Sequence, residues 1–384
     1  MRERSLLFAL SLGDAGTSIG EQDRQAESRS AADEWRSWYR QKVQLAESAA
    51  FAFILERDPA SASPIASGSL SSSPIHLDGN SLMGYLAGIT SHIGLIAEAD
   101  VRHNEPFHVA RSLSSLDHAS SGRAGWKLAA EQTAADYEER KAEFFAVAME
   151  LWDSWDDEAV LADQASGRFL DRGRVRTIDH HGRHFNVAGP LSIPRPLQGY
   201  PVLATEEQSV LNDDYAAHWA DIVMLRPSSF ADAIEKNGEI KRRLQLRNRQ
   251  AEARQLALIK VEVTAPIENL AEQDKQQPIT RERQGPEANP LLLLSGTAEQ
   301  LADELQYWFG QQAVDGFILS SETLMAHVKS FVEQVIPLLE QRGIVQRSCQ
   351  GQTLRENIGL SRPGNRLYSL IGEQQRKGNG DDGK

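Results

Sequence analysis

The densest group of side chains that could bind a metal ion lies in residues 179–184, which contain three histidines. Neutral imidazoles, together with a carboxylate such as that of Asp179, are good ligands for transition metals. Neighbouring side chains on a β-hairpin point to opposite faces, however, so His180 and His181 should diverge. Arg183 adds a positive charge that would repel a cation. We therefore predict a polar turn here, with no metal bound at His180, His181 and His184.

Other motifs that carry chemistry are absent or weak. The sequence has no Gly-x-x-x-x-Gly-Lys-Ser/Thr loop and no His-Glu-x-x-His helix. These absences argue against a nucleotide hydrolase and a zinc peptidase. A basic run at residues 241–243 has no interleaved aromatic residues for base stacking, and glutamates lie beside it. A solvated helix face is the favoured interpretation of this run.

Charge and composition limit the partners and the compartment. The 384 residues carry 41 basic and 54 acidic side chains, and the net charge of −13 disfavours nucleic acids and anionic membranes. No apolar run reaches the length of about 18 residues that suggests a membrane span, and residues 6–12 are interpreted as a buried strand. The single cysteine, Cys349, excludes an intrachain disulfide framework. These features predict a cytoplasmic protein.

Strand-like and helix-like segments alternate along nearly the whole chain and must position any functional side chains. Each buried-strand pattern is followed by a segment in which apolar residues recur three and four positions apart. The predicted strands are residues 6–12, 51–56, 93–99, 124–128, 201–204, 221–225, 257–263 and 316–319. Eight strand–helix units predict an α/β fold, an eight-stranded parallel (β/α)8 TIM barrel with both faces of its sheet covered.

One domain over residues 1–372 is expected, interrupted by two insertions. Residues 168–201 contain two short β-type runs around Gly182, which are typical of a hairpin. Residues 268–289 are polar with few apolar anchors and predict a disordered or lid-like insertion. Residues 373–384 are too polar to pack and are expected to form a disordered tail. Thr297 followed by Gln300 predicts a capping box at the start of a late helix.

Several longer strings of residues resemble a known family. They are Asn104-Glu105-Pro106-Phe107-His108, Gly122-Arg123-Ala124-Gly125-Trp126, Leu151-Trp152-Asp153-Ser154-Trp155, Gly189-Pro190-Leu191, Ser295-Gly296-Thr297-Ala298-Glu299-Gln300 and Thr353-Leu354-Arg355-Glu356. They occur in the family's order from residue 104 to residue 356. The sequence resembles the flavin-dependent monooxygenases of the bacterial luciferase-like superfamily, in the group of nitrilotriacetate and dibenzothiophene sulfone monooxygenases.

The resemblance implies a reaction, a cofactor and partners. Family members hold reduced flavin mononucleotide (FMN) at the C-terminal mouth of the barrel. A separate reductase supplies this flavin, and O2 then oxidises a small organic substrate. At the positions that match the family, Asp58, Tyr137 and Ser209 are the expected cofactor-binding residues. Family members commonly dimerise, so a homodimer is expected, whereas the catalytic residues and the substrate stay unassigned.

Charged residues replace small or neutral ones at several positions of the implied flavin site. Glu98 and Asp100 lie on the third strand, Lys127 lies on the fourth, and Glu206 and Glu207 occupy the turn that would hold the flavin phosphate. Two inward-facing glutamates would each oppose the phosphate by about 1 kcal/mol or more. Two hypotheses therefore stay open: a two-component monooxygenase, or a flavin-free barrel that serves as a binding or partner subunit.

Overall fold

The computed structural model of the protein describes most of the chain. The described residues are 5–12, 31–56, 77–128, 135–212, 214–246, 253–264, 279–281, 291–320, 323, 325–346 and 351–366. Asp58 and the predicted tail at 373–384 lie outside them, as does the polar insertion at 268–289 apart from residues 279–281. No helix within the described residues combines the length and the apolar character needed to cross a membrane.

The described strands alternate with helices for most of the chain. The strands are β1 (Leu7–Ser11), β2 (Phe53–Glu56), β3 (Gly94–Ala99), β4 (Ala124–Leu128), β5 (Val160–Asp163), β6 (Arg168–Leu170), β7 (His180–His181), β8 (Asn186–Val187), β9 (Val202–Glu206), β10 (Ile222–Leu225), β11 (Arg254–Val263), β12 (Ile279–Arg281), β13 (Leu292–Gly296) and β14 (Gly316–Leu319). The helices are α1 (Ala31–Ser48), α2 (Gly79–Ala87), α3 (Pro106–Ala119), α4 (Ala135–Asp153), α5 (Glu207–Asn212), α6 (Asp214–Trp219), α7 (Phe230–Gln245), α8 (Ala298–Gly310), α9 (Met325–Ser330), α10 (Ile336–Gln341) and α11 (Leu354–Asn357). A π-helical turn, Phe331–Val335, joins α9 to α10.

Eight parallel strands close into a barrel in the order β1-β2-β3-β4-β9-β10-β11-β14, and β14 pairs with β1. These strands overlap the eight that the sequence predicts, so the predicted (β/α)8 TIM barrel is confirmed. Every residue of β2, β3, β4, β10 and β14 is buried. Burial on both faces explains why these strands do not alternate apolar and polar residues.

The N-terminal end of the barrel is closed by residues 351–366, which we call the plug. Three apolar side chains of the plug join the cluster of inward-facing strand residues: Leu354, Ile358 and Leu360. Gly94 at the start of β3 makes room for this contact, because a Cβ atom there would lie 2.5 Å from a methyl carbon of Leu354. Arg355 anchors the plug to Asp221, which directly precedes β10, with 2.6 Å between Nη2 and Oδ2.

Besides its pairing with β10, strand β11 pairs with two different strands along its length. Its residues up to Ile259 pair with β14, and its residues from Ile259 onward pair in parallel with β13. The sequence analysis did not predict β13, although residues 291–294 are four consecutive leucines, an apolar run of strand length. The capping box itself is confirmed, since Thr297 and Gln300 exchange hydrogen bonds at the start of α8.

Two antiparallel hairpins follow α4. The hairpin predicted around Gly182 is formed by β7 and β8, and the Gly182 amide donates to the Phe185 carbonyl at 2.9 Å. A second hairpin, β5 with β6, begins earlier than the predicted insertion and is almost wholly exposed. Exposed strands lack the burial pattern on which the sequence analysis relied. The assignment of residues 1–372 to a single domain stays a prediction.

Candidate functional site

Four neighbouring strands, β3, β4, β9 and β10, bring charged residues to the C-terminal end of the barrel. In (β/α)8 barrels this end and its following loops form the active site. Glu98, Lys127 and Glu206 lie in the last two residues of their strands, and Arg226 directly follows β10. We call these four residues the mouth ladder.

The mouth ladder is a chain of alternating charges that leads from the barrel interior to solvent. Lys127 Nζ donates to Glu98 Oε2 at 2.6 Å and lies 3.6 Å from Glu206 Oε1. The same oxygen of Glu206 is 3.6 Å from Arg226 Nη2. The exposed fraction of the side chain rises from 1% at Glu98 through 7% and 20% to 31% at Arg226. The first contact follows from strand register, because Glu98 and Lys127 are paired positions of β3 and β4.

Glu207, the first residue of α5, is paired with a lysine on α7. Its Oε1 atom lies 2.8 Å from Lys236 Nζ on α7, and its Oε2 atom accepts the Arg226 backbone amide at 3.2 Å. The sequence analysis considered Glu206 and Glu207 as two anions facing the phosphate together. The structure instead separates them and gives each carboxylate its own cations.

Asp100 and Arg102 form another pair just after β3. The Arg102 Nε atom donates to Asp100 Oδ2 at 2.8 Å, and the Arg102 backbone amide donates to Oδ1 at 2.8 Å. The hydrogen bond to Asp100 raises the pKa of Arg102, and the nearby Tyr137 acts in the same direction. Asn104 holds the turn, because its Nδ2 donates to the Asp100 carbonyl at 2.8 Å. Arg102 is therefore a charged side chain in a fixed position.

Of the three residues predicted to bind the cofactor, the structure describes two, Tyr137 and Ser209. Asp58 lies outside the described residues. Tyr137 lies in the first turn of α4, where it interacts electrostatically with Arg102. Ser209 is buried in α5, directly after β9, with 4% of its surface exposed. Because β4 and β9 are adjacent strands, the segments that carry Tyr137 and Ser209 follow neighbouring positions of the barrel.

Two cations at this end were not among the predicted site residues. Arg226 and Lys236 contact the two glutamates of the turn after β9. The sequence does contain a signal for Arg226, which follows the sixth predicted strand directly and thus occupies the functional end of a barrel strand. Lys236 carries no such signal, because its contact with Glu207 depends on how α7 packs beside α5.

The histidines of the predicted polar turn make separate hydrogen bonds. The Nε2 atom of His180 lies 3.1 Å from Glu143 Oε1, whereas the Nδ1 atom of His181 lies 3.2 Å from Asn186 Oδ1. Glu143 also accepts the backbone amides of His184 and Phe185, which lie in the same hairpin turn. Burial by itself would raise the pKa of Glu143, but the hydrogen bonds from His180, His184 and Phe185 outweigh burial and lower it. No group of three metal-ligating side chains occurs among the described residues.

Comparison with known proteins gives consistent matches. Residues 22–315 match the family model for luciferase-like monooxygenase. N-acetyl-S-(2-succino)cysteine monooxygenase of Bacillus subtilis (strain 168) is 29% identical over 361 residues, which cover 74% of this chain and 81% of that protein. Nitrilotriacetate monooxygenase component A of Aminobacter aminovorans is also 29% identical, covering 74% and 79%. The structure of EDTA monooxygenase (EmoA) from Chelativorans sp. BNC1 has the same fold, with a TM-score of 0.75, 23% identity and coverage of 94% and 99%.

Proposed function

The chain belongs to the luciferase-like monooxygenase family, whose members are flavin-dependent enzymes, and we propose that it is the oxygenase component of a two-component system. In this proposal it binds reduced FMN from a separate reductase and oxidises a small organic substrate with O2. The bound flavin supplies the oxygen chemistry, and the protein supplies binding, orientation and protection from water. The name of the nitrilotriacetate relative, component A, supports a partner component.

The observation that carries the FMN proposal is the pairing of both carboxylates at the junction of β9 and α5, Glu206 and Glu207. Two unpaired anions beside a dianionic phosphate would weaken its binding. Here Glu206 lies between Lys127 and Arg226, and Glu207 is bonded to Lys236. The side chains at this end of the barrel therefore fit a phosphate group, because cations neutralise the carboxylates that would repel it.

Cofactor-binding roles follow from the family resemblance together with these positions. We assign Ser209 to the phosphate, because its hydroxyl belongs to the turn directly after β9. Tyr137 is assigned to the same end of the cofactor, beside Arg102. Asp58 keeps its proposed contact with the flavin on the resemblance alone.

The Glu98–Lys127 pair distinguishes this barrel from the small residues that the family resemblance implies. Both side chains are at least nine-tenths buried and are joined by a hydrogen bond of 2.6 Å. A paired carboxylate and ammonium carry no net charge, so a flavin ring at the mouth would not face an isolated ion. We assign the pair a positioning role, in which Glu98 holds Lys127 within reach of Glu206.

A homodimer is the assembly that we propose, because family members commonly dimerise. Sedimentation velocity at micromolar protein concentration tests this proposal. A single species with the mass of one chain would contradict it without affecting the proposed reaction.

Flavin binding is tested by anaerobic titration of the protein with reduced FMN, followed by tryptophan fluorescence. We expect saturable binding to the wild type and about tenfold weaker binding to Ser209→Ala, since one hydrogen bond to a charged group contributes about 1.5–3 kcal/mol. Ser115→Ala is the matched control, because Ser115 is an exposed helix serine bonded only to the Arg111 carbonyl. If neither reduced nor oxidised FMN binds, the proposal is wrong and the flavin-free hypothesis is favoured.

The oxygenase role is tested by mixing the reduced complex with O2 and measuring absorbance at the flavin bands. A site that excludes water and orients the flavin should change the reoxidation rate from that of free reduced FMN. A rate identical to that of free flavin, in a complex shown to be saturated, would contradict an oxygenase while leaving flavin binding intact.

A further inference from the structure

Four of the carboxylate–cation pairs around the mouth share an orientation, in which the carboxylate is the more buried partner. The contact between Lys127 and Glu206 has the reverse order, with the lysine more buried. The exposed side-chain fractions of carboxylate and cation are 1% and 29% for Asp100–Arg102, 1% and 7% for Glu98–Lys127, 20% and 31% for Glu206–Arg226, and 9% and 26% for Glu207–Lys236. The anions thus lie beneath the cations, and the layer nearest to solvent is positive.

This positive layer is unusual in a protein with a net charge of −13. A cluster of one charge sign at a concave site raises the local concentration of ligands of the opposite sign. The overall negative charge would repel such ligands from the rest of the surface. The four pairs carry no net charge together, but their outer cations give an anion a place to bind at the mouth of the barrel.

Arg226 differs from the other exposed cations of this layer in how its side chain is held. Arg102 donates three hydrogen bonds from its side chain to Asp100, and Lys236 lies 2.8 Å from Glu207. The guanidinium of Arg226 lies 3.6 Å from Glu206, a distance too long for a hydrogen bond. Its donors are thus available to a ligand at small cost.

The backbone of Arg226, in contrast, is firmly anchored. Its amide donates to Glu207 Oε2 at 3.2 Å, and its carbonyl accepts from Lys236 Nζ at 2.6 Å. Glu207 and Lys236 also bond each other, so the three residues form a closed network at the end of β10. A fixed backbone with a loosely held guanidinium is a good arrangement for capturing a phosphate, which accepts two parallel hydrogen bonds from arginine.

We propose that Arg226 is the residue by which this protein selects phosphorylated flavin, so that it binds FMN in preference to riboflavin. The inference rests on the proposed flavin function and goes beyond it, because it assigns phosphate specificity to a residue outside the expected cofactor set. Glu206 is the anion nearest to the guanidinium when the phosphate is absent, and in this proposal it competes with the phosphate for Arg226.

The experiment measures the dissociation constants of oxidised FMN and riboflavin for four proteins at low ionic strength. They are the wild type, Arg226→Gln, Arg226→Lys and Arg342→Gln. Arg342 is the matched control, because it is 29% exposed, is paired with Asp303 at 2.7 Å and lies beside the segment that contacts the start of β1. Circular dichroism of each variant establishes that the fold is retained.

The wild type should bind FMN more tightly than riboflavin. Arg226→Gln should weaken FMN binding about tenfold, equivalent to about 1.4 kcal/mol, and change riboflavin binding less than about twofold. Arg226→Lys should lose less, because it keeps the charge but not the two-pronged geometry. Arg342→Gln should match the wild type.

Each other result contradicts the inference in a recognisable way. Equal wild-type affinity for FMN and riboflavin would show that the site does not recognise the phosphate. A parallel loss of both ligands in Arg226→Gln would show a structural role for Arg226. Either result leaves the proposed flavin function standing, whereas the absence of any flavin binding to the wild type overturns both proposals.

Discussion

The two ends of the barrel treat buried charge in opposite ways. At the N-terminal end, Arg355 and Asp221 form a doubly hydrogen-bonded pair at 3.0 and 2.6 Å, with both side chains buried and an apolar plug around them. At the C-terminal end, Lys127 serves two carboxylates and the last cation is only loosely held. The buried Arg355–Asp221 pair holds the plug on the barrel, whereas the partly exposed charges at the other end leave hydrogen-bond donors of Arg226 available to a ligand. The difference agrees with the division of (β/α)8 barrels into a stability end and a functional end.

The largest expected effect comes from breaking the pair at the sealed end. Arg355→Ala should lower the free energy of unfolding by about 3–5 kcal/mol, because it leaves Asp221 buried without its partner. The corresponding change at the open end, Arg226→Ala, should cost less than about 1 kcal/mol, since that pair is partly exposed and long. Urea denaturation measures the free energy of unfolding of both variants. Equal losses of stability would contradict the proposed difference between the two ends of the barrel.

A second expected effect concerns Lys42, a buried lysine near the open end. Its Nζ donates to the carbonyl of Leu12, just after β1, at 3.3 Å and lies 4.2 Å from the centre of the Trp38 ring. Burial lowers the pKa of Lys42 from 10.5 to about 8, although Glu56 partly opposes this. The folded protein therefore releases this proton at a lower pH than the unfolded chain. The contribution of Lys42 to the free energy of unfolding should therefore be most unfavourable below pH 8, where both states are protonated. It should become less unfavourable between about pH 8 and 10.5.

Replacement of Lys42 by methionine removes the buried charge. At about 1.4 kcal/mol per pH unit, Lys42→Met should raise the free energy of unfolding at pH 7 by up to about 3 kcal/mol. It should also flatten the rise between pH 8 and pH 10.5. Lys329→Met is the control, since Lys329 is 64% exposed on α9 and should change little. Urea denaturation at pH 7 and pH 10 gives both quantities, and an unstable variant with unchanged pH dependence would contradict the prediction.

The smallest expected effect sharpens the description of the open end. Glu206→Gln removes the anion between Lys127 and Arg226, so both cations can act on a phosphate. FMN binding should tighten severalfold at low salt, and the gain should shrink at 0.5 M salt, where charges are screened over about 4 Å. Glu207→Gln should give a smaller gain, because Glu207 is bonded to Lys236 and to a backbone amide. Fluorescence titration at the two salt concentrations measures this, and a weakening in Glu206→Gln would show that Glu206 supports the site.

The barrel could be predicted from the sequence because each of its eight strands is a buried apolar run followed by an amphipathic helix. Strand β13 was missed, because eight strand–helix units already complete the barrel and β13 is an additional strand that pairs with the far half of β11. The charged positions of the candidate site were also visible, since Glu98, Lys127 and Glu206 occupy strand ends. Their pairing was not, because it depends on barrel register and on which way each side chain turns. Glu207 illustrates this, since it follows Glu206 directly in the chain but its carboxylate contacts Lys236 on α7 rather than Lys127 or Arg226.

The plug also has a consequence for the time course of synthesis. It follows β14 in the chain, and β14 is itself the strand that closes the barrel against β1. A growing chain therefore carries seven barrel strands with an open edge and an uncovered interior until β14 and the plug have left the ribosome. Exposed strand edges and apolar surface are the features that promote misassociation. Ribosome-bound intermediates of this protein should thus be the species that most need chaperones, and release of the plug segment should mark the end of that need.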